Sequence, residues 1–232
     1  MKNNIGTLRI VSTPIGNLSD ITYRAIDILK DSYLIAAEDT RVSGKLLKHY
    51  HIKTKMISYF EHNKFSRIKK IMTALSSGND VAVITDAGTP AISDPSYKLI
   101  REAISLGAKI ESIPGASAVL AALVTSGLPT DRFIFEGFLP PKKGRKKRIE
   151  NIANENATIV IYESKNRLRR TIKQILDILG DRPAVICREL TKLHEECIRG
   201  TLSSLLSRTV KHNLKGEIVL LIGKNDKNVY FN

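Results

Sequence analysis

Eleven residues, TDAGTPAISDP from Thr85 to Pro95, crowd two aspartates, a glycine, two threonines, a serine and two prolines into one turn. An apolar run, Val81-Ala82-Val83-Ile84, precedes them, and a helix-like segment, 96–105, follows. A plain strand-to-helix connection spans about 2–6 residues. This one is longer, stiffer and more polar than a connection requires. Its carboxylates can accept hydrogen bonds, and its glycine lets backbone come close to a ligand. Three more segments share that chemistry: TPIGN from Thr13, EDTR from Glu38 and PGASA from Pro114. Further along, EHN from Glu61 and RELTK from Arg188 add an imidazole, carboxylates and a lysine.

The usual nucleotide and hydrolase signatures are missing. No two glycines are spaced G-x-G, no G-x-x-x-x-G-K-[ST] occurs, and there is no G-x-S-x-G elbow. Cys187, His194 and Cys197 are spaced too loosely for a zinc site, and the two cysteines read as strand core. Two cysteines in 232 residues are also too few for a disulfide-stapled scaffold.

Charge points to a partner. Lys plus Arg number 37 against 23 Asp plus Glu, a formal net charge of +14. Such an excess suits a polyanion, nucleic acid first. A lysine-rich proteome would produce the same total, so clustering matters more. KKGRKKR holds six cations in seven positions, namely Lys142, Lys143, Arg145, Lys146, Lys147 and Arg148. The segment KNRLRRTIK from Lys165 is a second dense group. No apolar run approaches the roughly 18–20 residues of a membrane helix. The N-terminal stretch lacks an apolar core of signal-peptide length, so the expectation is a cytoplasmic protein.

The elements that must position these loops alternate. Strand-like runs at 8–12, 33–37, 56–59, 81–85 and 109–113 are separated by helical spacing after Ile21 and over 42–50, 65–76 and 96–105. Asp94 and Pro95 are placed to cap and start the last of these helices. Strands follow at 133–137, 158–162, 184–188, 194–199 and 217–222, with helices at 143–154, 167–179 and 202–211. The runs 184–188 and 194–199 leave no room for a helix between them, which predicts an antiparallel pair. The reading is two α/β domains, 1–114 with a mainly parallel sheet and 115–232 with a mixed sheet. In open α/β sheets ligands bind beyond the carboxyl ends of the strands. The polar loops of the first half all lie there.

Taken together, STPIGNLSDIT, AAEDTRVSGKLL, SYFEHN, TDAGTPAISDP, IPGASAVLAAL, SGLPTDRFIFEGFLP, YES, RELTKLHEE and GEIVLLIG resemble the tetrapyrrole methylase superfamily. The match runs in order from Leu8 to about Ile222. It is tightest to the branch of ribosomal RNA small subunit methyltransferases I. The resemblance implies two α/β domains with S-adenosylmethionine, the methyl donor, in the cleft between them, and a homodimer. It further implies methyl transfer to the ribose 2′-oxygen of a cytidine in 16S rRNA near the decoding centre, leaving S-adenosylhomocysteine. No metal is implied. Two other readings stay open: a precorrin methylase, and a non-enzymatic RNA-binding module.

By motif position the resemblance assigns the donor to Pro14, Asp86, Gly88, Ser117, Ala118, Tyr162, Leu190 and Gly216. Catalytic candidates are Asp39, Arg41, His62, Glu189 and Lys192, with Glu38 and Asn63 beside them. Arg167 and the basic block are assigned to RNA, although Glu163 and Arg167 could instead pair across a helix start. Three features depart from the family pattern. Ser96 stands where Gly is usual, and Lys165-Asn166-Arg167 replaces Pro-His-Arg. The tail NDKNVYFN has no counterpart.

Overall fold

The structure, a computed structural model, describes residues 5–60, 64–93, 96–211 and 214–231. By its contacts the chain divides into two compact units, Met1–Ser117 and Ala118–Asn232.

In the first unit, β1 (Thr7–Val11), β2 (Leu34–Ala37), β3 (Met56–Ser58), β4 (Val81–Ile84) and β5 (Lys109–Ile113) form one sheet in the order β3-β2-β4-β1-β5. All of its pairings are parallel. A parallel sheet is covered on both faces, which is why LIAA and VAVI are buried along their whole length. Alternate residues feed two cores. Leu34, Ala36, Val81 and Val83 join residues of α3 (Lys64–Ser76) and α4 (Tyr97–Leu106). Ile35, Ala37, Ala82 and Ile84 join residues of α1 (Tyr23–Asp31) and α2 (Thr40–His49) on the opposite face. The predicted helix at 96–105 is present one residue later, closed by Gly107 at φ 86°. The capping role expected of Asp94 falls on residues outside the described ones.

The second unit begins with α5 (Ala118–Ser126) and continues through β6 (Phe133–Phe138), α6 (Arg145–Asn151), β7 (Thr158–Ser164) and α7 (Lys165–Leu179). It ends with β8 (Pro183–Arg188), β9 (Glu196–Thr201), α8 (Leu202–Lys211) and β10 (Glu217–Ile222). The sheet order is β6-β7-β10-β8-β9. Only β6 and β7 run parallel, and β8 and β9 form the antiparallel pair that their short connection requires. One face of this sheet packs its isoleucines against α6, α7 and α8. Over the other face α5 contacts β10, β8 and β9. The helix expected over 143–154 is shorter, 145–151: Gly144 at φ 81° precedes its first turn, and residues 152–154 form a turn.

Candidate functional site

The chain leaves β1 toward α1 on one face of the first sheet and leaves β4 toward α4 on the other. Because β1 and β4 are neighbours, their loops diverge at the carboxyl edge, the switch point where α/β sheets bind ligands. The loops are tied across it. Thr13 N donates to Gly88 O at 2.9 Å and Gly88 N to Thr13 O at 3.1 Å. Thr13 Oγ1 donates to Thr85 O at 3.0 Å, and Ser12 Oγ and Thr89 Oγ1 lie 2.9 Å apart. Pro14 is buried behind this bridge. A Cβ on Gly115 would lie 2.9 Å from Ser12 Cβ, so the loop after β5, which also carries Ser117, comes against the end of β1 at a position that only glycine fits without a shift.

Left-handed backbone concentrates in the long loop: Gly88 at φ 84°, Ala91 at 72° and Ser93 at 64°. For Ala and Ser this is strained, and such strain persists only where surrounding structure enforces it.

Carboxylates gather at the same edge. Glu38 Oε2 accepts from Thr85 Oγ1, and from Asp86 N at 3.4 Å. Asp86 Oδ1 accepts from Asp39 N at 3.0 Å. Asp39 caps α2, accepting from Arg41 N at 2.8 Å, and pairs with the exposed Arg41 guanidinium at 2.6 Å. Those contacts with Arg41 hold the Asp39 carboxyl at about 2, below its ordinary 3.8. Asp86 moves the other way. Partial desolvation raises its pKa, and the negative charges of Glu38 and Asp39 add to that, against the hydrogen bond from Asp39 N. The edge therefore holds an excess of negative charge that a cation would relieve.

A second constellation lies in the second unit, where β8 ends and β10 begins. Glu189 Oε1 accepts from Glu217 N at 2.9 Å and from Lys192 Nζ at 3.2 Å. Lys192 Nζ also donates to Glu217 Oε2 at 2.8 Å. Glu189 and Thr191 are left-handed, φ 50° and 65°, and between them Leu190 is buried. Gly216, at φ 97°, lies against the Glu189 carboxyl so closely that a Cβ would stand 2.4 Å from Cδ. The hydrogen bond from Glu217 N, with Lys192, lowers the Glu189 pKa. Partial burial would depress Lys192, but its bonds to Glu217 and Glu189 outweigh that and raise it. Tyr162 stands on β7 in edge contact with Phe135, ring centroids 4.9 Å apart. His62 and Asn63 lie outside the described residues.

The basic block departs from expectation at one position. Lys142, Lys143, Lys146, Lys147 and Arg148 are exposed, but Arg145 is 2% exposed. Its guanidinium reaches Gln174 Oε1 at 2.7 Å, Pro140 O at 3.2 Å and Glu163 Oε2 at 3.5 Å. Glu163 also accepts from Thr171 Oγ1 at 2.5 Å and pairs with Arg167 Nε at 3.2 Å. A side chain this enclosed cannot reach a phosphate, so Arg145 anchors the block instead of displaying charge. Arg167 is drawn into the same network, also donating to Leu139 O at 2.5 Å. The sequence singled out Glu163 and Arg167 but not Thr171 or Gln174. Their spacing at 167, 171 and 174 along one helix face was the available signal.

Comparison with known proteins bears on what these edges do. The family model for tetrapyrrole (corrin/porphyrin) methylases matches residues 7–206. A protein of Halalkalibacterium halodurans called ribosomal RNA small subunit methyltransferase I is 48% identical over 229 residues, covering 98% of this chain and 79% of that protein. One of Thermotoga maritima with the same name is 47% identical, covering 95% of this chain and 100% of its own. Among solved structures, a cobalt precorrin-4 methyltransferase superposes with a TM-score of 0.70 at 19% identity, covering 94% of each chain. A putative diphthine synthase of Entamoeba histolytica superposes with a TM-score of 0.68 at 16% identity, covering 96% of this chain and 94% of its own. Identities that low establish the fold alone.

Proposed function

We propose, from the premise that this chain belongs to the tetrapyrrole (corrin/porphyrin) methylase family, that it transfers a methyl group from S-adenosylmethionine to a cytidine ribose 2′-oxygen in 16S rRNA. The observation that carries the reading is near-half identity, over almost the whole chain, with relatives named for ribosomal RNA methylation. When bound, the donor supplies a methyl group on a positively charged sulfur.

The residues of the first unit suit such a ligand. Glu38, Asp39 and Asp86 offer surplus negative charge to a cation, while Gly88 and Gly115 keep side chains out of the loops. Pro14 and Ser117 complete that edge. Ala118, Tyr162, Leu190 and Gly216 of the second unit keep the donor-binding role their motifs imply. A ribose hydroxyl needs its proton removed, and a useful base has a pKa near the working pH. Asp39 and Glu189 are held ionised and Lys192 protonated, each stabilised in its charged form. They act by position and charge, as does Arg41. His62 remains a catalytic candidate by its motif position.

Phosphate docking falls to Lys142, Lys143, Lys146, Lys147 and Arg148, with Arg145 and Arg167 holding that surface in place. The protein works in the cytoplasm as a homodimer. No helix among the described residues is long and apolar enough to cross a membrane. The test maps ribose methylation on 16S rRNA from cells with and without the gene. Loss of one 2′-O-methylcytidine is expected. An unchanged methylation map would overturn the reading.

A further inference from the structure

Tyr162, Val219, Cys187 and Cys197 are paired across β7, β10, β8 and β9. Directly paired residues project from the same face of a sheet. Their side chains form one row, and α5 lies over its cysteine end: Cys187 Sγ donates to Ala122 O at 3.9 Å, and Thr125 Oγ1 lies 3.6 Å from Cys197 Sγ. Both cysteines are free, and their sulfurs are 3.1 Å apart. A disulfide bond is about 2.05 Å long. Closing it therefore requires about 1 Å of sulfur movement between residues already in register.

We propose that Cys187 and Cys197 are a redox-modification site, a dithiol that peroxide converts to an intramolecular disulfide. The two sulfurs have different roles because their surroundings differ. Cys187 is fully buried, and burial, with the adjacent Cys197 sulfur, pushes its thiol pKa up. Cys197 is only partly buried and is the sulfur a small oxidant can reach. The Cys197 thiolate attacks one peroxide oxygen. A sulfur–oxygen bond forms as the oxygen–oxygen bond breaks, and the hydroxide released takes up the proton the thiol gave up. The product is a sulfenic acid. Cys187 sulfur then attacks it. The sulfur–sulfur bond forms, the sulfur–oxygen bond breaks, and hydroxide leaves as water with the Cys187 proton. Two thiols are oxidised and one peroxide is reduced to two waters. The disulfide would lie beneath α5, in the same row as Tyr162.

The experiment uses the full chain, reduced, freed of reductant and treated with a few equivalents of hydrogen peroxide. Thiols counted after denaturation should fall from two to none, since the chain has only these cysteines. Digestion without reductant should yield one linked peptide pair, two hydrogens lighter than its parts, and dithiothreitol should restore both thiols. In the C187S variant, sulfenic acid should accumulate on Cys197 and be trapped by dimedone. Unreacted thiols, a link between two chains, or wild-type Cys197 advancing to sulfinic acid without the linked peptide would each overturn the proposal.

Discussion

Asp86 and Gly216 make opposite demands on their surroundings. Asp86 sits where negative charge is already in excess, and its pKa is raised. A cationic donor favours the ionised carboxylate, so donor affinity should climb as pH rises through the Asp86 titration. In D86N that dependence should vanish and affinity should drop at least about tenfold, the loss of one charge-assisted hydrogen bond. Calorimetric titration with S-adenosylmethionine across pH decides it, and a variant that binds like wild type removes Asp86 from the donor site. At Gly216 the constraint is steric. Alanine there meets both a left-handed backbone and the Glu189 carboxyl. G216A should cost about 1–3 kcal/mol of stability, read by thermal or urea denaturation. An unshifted transition would mean that the Glu189–Lys192–Glu217 cluster does not hold this turn.

Among the elements, α6 and α7 show what pattern reading can and cannot deliver. Strand positions, the β8–β9 pairing and the parallel first sheet follow from apolar runs and connection lengths, which survive folding because burial enforces them. The inward turn of Arg145 does not follow. Six cations in seven positions look alike in sequence, and only the Glu163 carboxylate on β7 selects the one that is buried. The left-handed Ala91, Ser93, Glu189 and Thr191 were equally silent, being products of tertiary contact at residues with no glycine to announce them. The loops of the candidate site were legible because Gly, Pro and Asp cluster there. Their cross-loop bonds, such as Thr13 to Gly88, were not. Replacing Arg145 by methionine leaves Glu163 buried with Arg167 and Thr171 alone. We expect a loss of about 3 kcal/mol, the low end for breaking a buried pair because Arg167 remains. R145M with E163Q should recover part of it. Equal stability of R145M and wild type would mean that the ion pair holds nothing together.

For the whole molecule, a net charge of +14 favours any polyanion, so specificity must come from the donor site and the shape of the RNA. Charge reversal of Lys142, Lys143, Lys146 and Lys147, all exposed, should leave donor affinity intact and weaken binding to small ribosomal subunits. Each lost phosphate contact should flatten the log–log salt dependence by about 0.7–0.9. Wild-type binding across a salt series would make the block a solvated surface. Methyl transfer to ribose in 16S rRNA is tested by supplying purified protein with methyl-labelled S-adenosylmethionine and unmethylated small subunits. The RNA is then digested to nucleosides and weighed. Label is expected in 2′-O-methylcytidine from a single site. Label on a base, or none on RNA but transfer to a corrin precursor, would contradict it.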